Sequence, residues 1–105
     1  MENQRQISDK IKAVASIYLS DVEIMLFGSR ARHDSHADSD YDILIITKHT
    51  ISPEEKTPYR TNIRKDLLKE GIRSDILIQS KGEINKKKKL PGHIIRNILR
   101  EAILL

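Results

Sequence analysis

Three short runs rich in β-branched residues, Val22 to Phe27, Asp40 to Thr47 and Ile72 to Gln79, alternate along the chain with stretches of helical period. Strands and helices repeat their side chains differently, so this alternation commits the chain to helices packed on a sheet. Ile7, Ile11, Val14, Ala15 and Tyr18 recur at spacings of three and four, which predicts a helix over residues 4–19 with one buried face. Gly28-Ser29 permits a tight turn after the first strand, and a short helix is expected over residues 29–32. His33 to Ser39 is polar and reads as a loop returning the chain to the sheet. Thr57-Pro58 offers an N-cap and a first helical residue, after which Tyr59, Ile63 and Leu67 share a face up to Gly71. Ser52-Pro53-Glu54-Glu55 also looks like a capping box, but Pro58 would interrupt a helix begun there, so a separate short turn is expected first. Ser80 to Gly92 reads as a basic loop, and Ile94, Ile95, Ile98, Leu99 and Ala102 mark an amphipathic C-terminal helix. The order is an α/β (α+β) pattern, expected to give a small mixed β-sheet with packed helices in a single domain over residues 1–105.

Without cysteine the chain offers no disulfides and no thiolate metal sites, which fits a reducing cytoplasm. Runs such as Ile43 to Ile46 are too short to span a bilayer, and the N-terminus lacks the apolar stretch of a signal peptide, so a soluble cytoplasmic protein is expected, without membrane contact. The formal charge is only +4, but residues 81–101 carry seven Lys or Arg against two Glu. That end can meet an anion, nucleic acid included, through Lys86 to Lys89, although a solvated basic face is the simpler and favoured reading. One Phe and three Tyr are too few for a stacking platform on single strands.

The chemistry is concentrated in three aspartates. Alternation along a strand projects Asp40 and Asp42 from one face with Cα atoms about 6.5 to 7 Å apart. Two convergent carboxylates repel, and a divalent cation between them relieves the repulsion. Oxygen ligands without Cys or patterned His favour magnesium or manganese over zinc, and a pair of such ions can clamp both the attacking and the leaving oxygen of a phosphoryl displacement. Gly28-Ser29 adds a helix start, whose free N–H groups suit a phosphate, and Arg30 or Arg32 can neutralise charge on a leaving pyrophosphate. Asp75 interrupts an apolar strand; if that strand lies beside the second, Asp75 completes the metal site and serves as general base. Singly, each residue has an ordinary explanation: Asp40 as a turn cap after Ser39, Asp42 as a strand-edge solubiliser, Asp75 in a loop after Arg73-Ser74. His33, His36, His49 and His93 lack metal-ligand spacing and read as surface residues.

Taken together, Leu26-Phe27-Gly28-Ser29-Arg30-Ala31-Arg32, then Ser39-Asp40-Tyr41-Asp42-Ile43-Leu44-Ile45, and Ser74-Asp75-Ile76-Leu77-Ile78 resemble the minimal nucleotidyltransferases of the DNA polymerase beta superfamily. Ten residues separate Gly28-Ser29 from Asp40, which matches that family's spacing, and Pro91-Gly92 before an apolar helix is similar to its C-terminal end. In phosphatases of the haloacid dehalogenase type the apolar strand precedes the Asp pair, whereas here it follows. The resemblance implies a DNA polymerase beta-like fold, triphosphate binding by Gly28 and Ser29, and metal binding by Asp40 and Asp42 with Asp75 as third carboxylate. It further implies Mg2+, two ions in all, and ATP or another nucleoside triphosphate as substrate. Members of this size often pair with a HEPN protein, and some act as antitoxins by adding AMP to a tyrosine of that partner. Two functions follow as expectations: transfer of a nucleoside monophosphate to a hydroxyl, or a catalytically silent module that neutralises a partner by contact. So short a chain implies that specificity comes from a partner or a homo-oligomer. His33-Asp34 departs from the family pattern, which commonly carries Gly after the second Arg.

Overall fold

The computed structural model describes residues 3–36 and 39–105. Helix α1 (Gln4–Tyr18) opens on a reciprocal cap: the Asn3 side chain accepts the Gln6 N–H, and the Gln6 side chain accepts the Asn3 N–H. Strand β1 (Glu23–Phe27) leads directly into the single short helix α2 (Gly28–Arg32). The expected polar loop follows, of which Ala37 and Asp38 lie outside the described residues. Strand β2 is Tyr41–Thr47, so Asp40 precedes the strand that the sequence pattern assigns it to. Helix α3 (Pro53–Lys69) crosses over to strand β3 (Ser74–Ser80), and α4 (Lys81–Lys87), α5 (Ile94–Glu101) and the two-residue strand β4 (Ile103–Leu104) complete the chain.

The sheet order is β3-β2-β1-β4. Strand β1 runs antiparallel to β2 and β4, and β2 runs parallel to β3, which confirms a mixed sheet. Strand β2 is buried on both faces, and its alternate residues enter two different cores. Ile43 and Ile45 pack with Ile11, Val14, Ile63 and Leu67 of α1 and α3, while Leu44 and Ile46 pack with Ile84, Ile95 and Ile98 of α4 and α5. This double burial is why Ile43 to Ile46 is continuously apolar rather than alternating. Truncating Ile45, fully buried in the larger core, is expected to cost about 2–5 kcal/mol. The Tyr18 hydroxyl donates to Asp66 and ties α1 to α3.

Two sequence expectations fail here for identifiable reasons. Helix α3 starts at Pro53 rather than at Thr57-Pro58, because Ser52 accepts the Glu55 N–H and Pro53 sits where no N–H is needed. Pro58 falls in the second turn among exposed residues, where water can satisfy the carbonyl that its missing N–H leaves open, and the helix continues through it. Gly71, at φ +80, closes the helix: Gly71 N–H donates to Leu68 and Ile72 N–H to Leu67. The stretch from Ser80 is likewise helical at its start, and the expected loop is confined to residues 88–93. Ser80 and Glu83 form a reciprocal cap for α4, and Lys56, a residue only 6% exposed, donates from Nζ to both Glu83 oxygens at 2.9 and 2.8 Å. Lys86 and Lys87 occupy the last turn of α4, where cations complement the helix dipole, and Lys87 also donates to Gln79.

Candidate active site

Register builds the site. Phe27 pairs with Asp42 across β1 and β2, and Asp42 pairs with Asp75 across β2 and β3, so the two aspartates are direct neighbours on adjacent strands. Residues that pair in register project to the same face, and Asp42 and Asp75 share theirs with Leu44 and Leu77, toward α4 and α5. Phe27 ends its strand in the same row, which delivers the start of α2 beside the carboxylates. There the fit is very close: a Cβ on Gly28 would stand 2.1 Å from Asp42 Oδ2. With its φ at +73, Gly28 is required twice, for backbone conformation and for space.

Asp42 carries the electrostatic signature of the cluster. Burial, then the charges of Asp75 and Asp40 and more weakly that of Glu101, push its carboxyl above the usual range, while Arg32 opposes them. A proton or a cation relieves this strain, and an oxygen-only donor set fits a hard divalent ion such as magnesium. Among the described residues no three acidic or histidine side chains are gathered tightly enough to hold an ion as they stand. Asp40 turns to Arg73, with 3.4 Å between Oδ1 and Nε, an exposed pair of the kind that contributes little and is readily exchanged.

The two arginines of α2 have different surroundings. Arg30 donates from Nε and Nη2 to the Ser39 carbonyl at 3.3 and 2.8 Å and stacks over Tyr41, 4.3 Å from the ring centre. It thereby braces the segment that delivers Asp40. Arg32 bonds to Asp34 at 3.2 Å and to Glu101 at 2.9 Å. Nothing in the sequence singles out Glu101, which reads simply as the polar end of an amphipathic helix. Its other oxygen accepts the Gly28 N–H at 3.0 Å.

Two grooves that share Arg64 and Leu68 each reach one of the carboxylates. One, of about 350 Å³, runs along α3 past Arg60, Thr61 and Arg64 to Asp75; the other, of about 320 Å³, is lined by Asp40, Arg64, Arg73 and Ser74. In the second groove the buried Ser74 Oγ has no hydrogen-bond partner among the described residues. His33 caps α2 in the left-handed conformation, at φ 63 and ψ 27, which gives a physical reason for the family's preference for Gly there.

A mixed sheet that sets paired carboxylates beside a Gly-Ser helix start is the framework of an enzyme that transfers nucleotides. The family model for the nucleotidyltransferase domain matches residues 7–105, and the chain belongs to that family. It is 33% identical over 107 aligned positions, covering all of this chain and 99% of the other, to a candidate protein adenylyltransferase of Methanocaldococcus jannaschii. Among solved structures, a candidate minimal nucleotidyltransferase superposes with a TM-score of 0.63 at 24% identity, over 99% of this chain and 97% of that one. An MNT antitoxin complex with the tri-AMPylated HEPN toxin of Shewanella oneidensis gives a TM-score of 0.59 at 14% identity, over 97% of this chain and 71% of the matched one. These last two likenesses concern the fold. No helix among the described residues is long and apolar enough to cross a membrane.

Proposed function

We propose that these 105 residues act as one cytoplasmic domain that transfers AMP from ATP to a hydroxyl of a partner protein, a tyrosine of a HEPN toxin being the favoured acceptor. The observation that carries this reading is the in-register pair Asp42 and Asp75 beside Gly28. The adenylyltransferase name of the M. jannaschii relative and the AMPylated toxin bound to an antitoxin of similar fold support the choice of AMP and of the acceptor.

Asp40, Asp42 and Asp75 would hold Mg2+, which when bound supplies charge neutralisation for the triphosphate. The Ser29 hydroxyl and the N–H groups at the start of α2 bind phosphate oxygens, and Arg32 balances negative charge at the far end of the same helix. Asp75 accepts the proton of the acceptor hydroxyl as its oxygen bonds to the α-phosphorus and the bond to the pyrophosphate oxygen breaks. The groove along α3 that ends at Asp75 is the approach we assign to the acceptor, since it reaches the base from the side opposite α2 in the strand order.

Thermal unfolding with and without ATP and magnesium tests the reading without an identified acceptor. Ligand at about a hundred times its dissociation constant adds about 2.7 kcal/mol, a rise on the order of 10 °C for a domain this size. The rise should require magnesium and disappear in Asp40→Asn/Asp42→Asn. Equal shifts in wild type and variant, or none with any triphosphate, would remove the catalytic reading and leave neutralisation by contact.

A further inference from the structure

Glu101 lies far along the chain from every motif of the site, yet its carboxylate is divided between the two ends of α2. Oε1 accepts the Gly28 N–H at 3.0 Å, and Oε2 pairs with Arg32 Nη1 at 2.9 Å. Helix α2 has five residues. So short a helix does not hold its shape by its own hydrogen bonds and depends on contacts from outside. Helix α5 is well suited to supply them, because Ile95 and Ile98 anchor it in the core with Leu44 and Ile46.

Resting on the nucleotide-transfer reading above, we propose that Glu101 is a positioning residue: it clamps the phosphate-binding turn so that Gly28 lies against Asp42 and the Ser29 amide and hydroxyl stay free for the triphosphate. Three features of the contact support this. The carboxylate engages Gly28, the residue whose placement against the Asp42 side chain is tightest. It also orients Arg32, the cation at the far end of α2, through the 2.9 Å bond between Nη1 and Oε2. Finally, it takes the N–H of Gly28 and leaves Ser29 alone, whose hydroxyl has no partner among the described residues, so the clamp and a phosphate use different donors.

Glu101→Ala and Glu101→Gln in the full chain separate this role from a general structural one. The Gln oxygen still accepts the Gly28 N–H, whereas Ala cannot. Expected for Glu101→Ala are faster amide exchange at Gly28, read by NMR without nucleotide, and magnesium-dependent ATP binding weakened about tenfold, the scale of one charge-assisted hydrogen bond. Glu101→Gln should recover most of both. Melting of the nucleotide-free protein should change little in either variant, because the Arg32 half of the contact is exposed and the Gly28 half only part-buried.

Two results overturn the proposal: ATP binding by Glu101→Ala as tight as wild type or tighter, which would make the carboxylate idle or a competitor of phosphate, or unchanged exchange at Gly28. Failure of the wider reading has its own signature, since wild type would then show no ATP binding while amide exchange still decides whether the clamp exists.

Discussion

Replacing Gly28 by Ala separates two costs that a glycine at an active site usually confounds. At φ +73 an L residue is strained, which costs about 1–2 kcal/mol. The added methyl would also stand 2.1 Å from Asp42 Oδ2, 3.0 Å from Cγ and 3.3 Å from Cβ. The nearest atom is the tip of a side chain, so the carboxylate can swing aside with little further loss of stability. The swing displaces the carboxylate by an ångström or more, and a misplacement of about 1 Å can cost on the order of a hundredfold in rate. Gly71 provides the control: its φ is +80 and an added methyl would meet nothing within 4 Å, so Gly71→Ala carries the backbone cost alone. Urea unfolding should therefore show similar losses for the two variants, while magnesium-dependent nucleotide transfer falls about a hundredfold or more in Gly28→Ala only. Near-normal transfer by Gly28→Ala, or a stability loss far above that of Gly71→Ala, would refute the reasoning.

Three further outcomes follow from the same structure. Because burial and then Asp75 and Asp40 raise the Asp42 carboxyl, the metal-free native state holds a proton that the unfolded chain releases near its ordinary pKa of about 4. That contribution is complete below the unfolded value and is lost as pH rises through the higher folded one. Asp42→Asn should abolish transfer yet flatten this fall, as urea melts from acid to neutral pH would record; a variant with the same pH dependence as wild type would contradict it. Burial alone would raise Glu83, but the hydrogen bonds from Lys56 and the Ser80 N–H outweigh it and hold the carboxyl below its usual range. Glu83→Ala leaves the buried Lys56 ammonium unpaired and should cost about 3 kcal/mol, against a smaller loss for Lys56→Met, both measured by chemical denaturation. His33→Gly relieves the left-handed cap of α2 and should gain about 1 kcal/mol, seen as a higher Tm without loss of ATP binding.

Much of the fold is legible in local pattern. The helix at residues 4–18, the strands and the final helix announce themselves through period and turn residues, because one-faced burial leaves a regular trace. Pattern misleads where local signals compete. Pro58 reads as a helix start because proline is costly inside helices, but an exposed second turn tolerates it, and the Ser52 cap decides the boundary. Helix α4 is hidden because its lysines suggest a loop, while the Ser80 and Glu83 cap and the buried Ile84 are modest signals beside four consecutive lysines.

The sequence by itself determined which residues are candidates for the chemistry: the Gly-Ser turn, the Asp-x-Asp pair and the lone Asp75 in an apolar strand stand out by residue type and spacing alone. Only the tertiary structure decided which of these groups meet. Whether Asp75 lies beside Asp42 depends on strand order and register, which are fixed by burying β2 between two cores. The reach of Glu101 across 73 residues to Gly28, and the turn of Arg30 toward the Ser39 carbonyl, depend on how α5 and the loop pack. Contacts between residues so distant along the chain leave no periodicity behind, because they arise from the packing of whole elements rather than from the path of the backbone between neighbours.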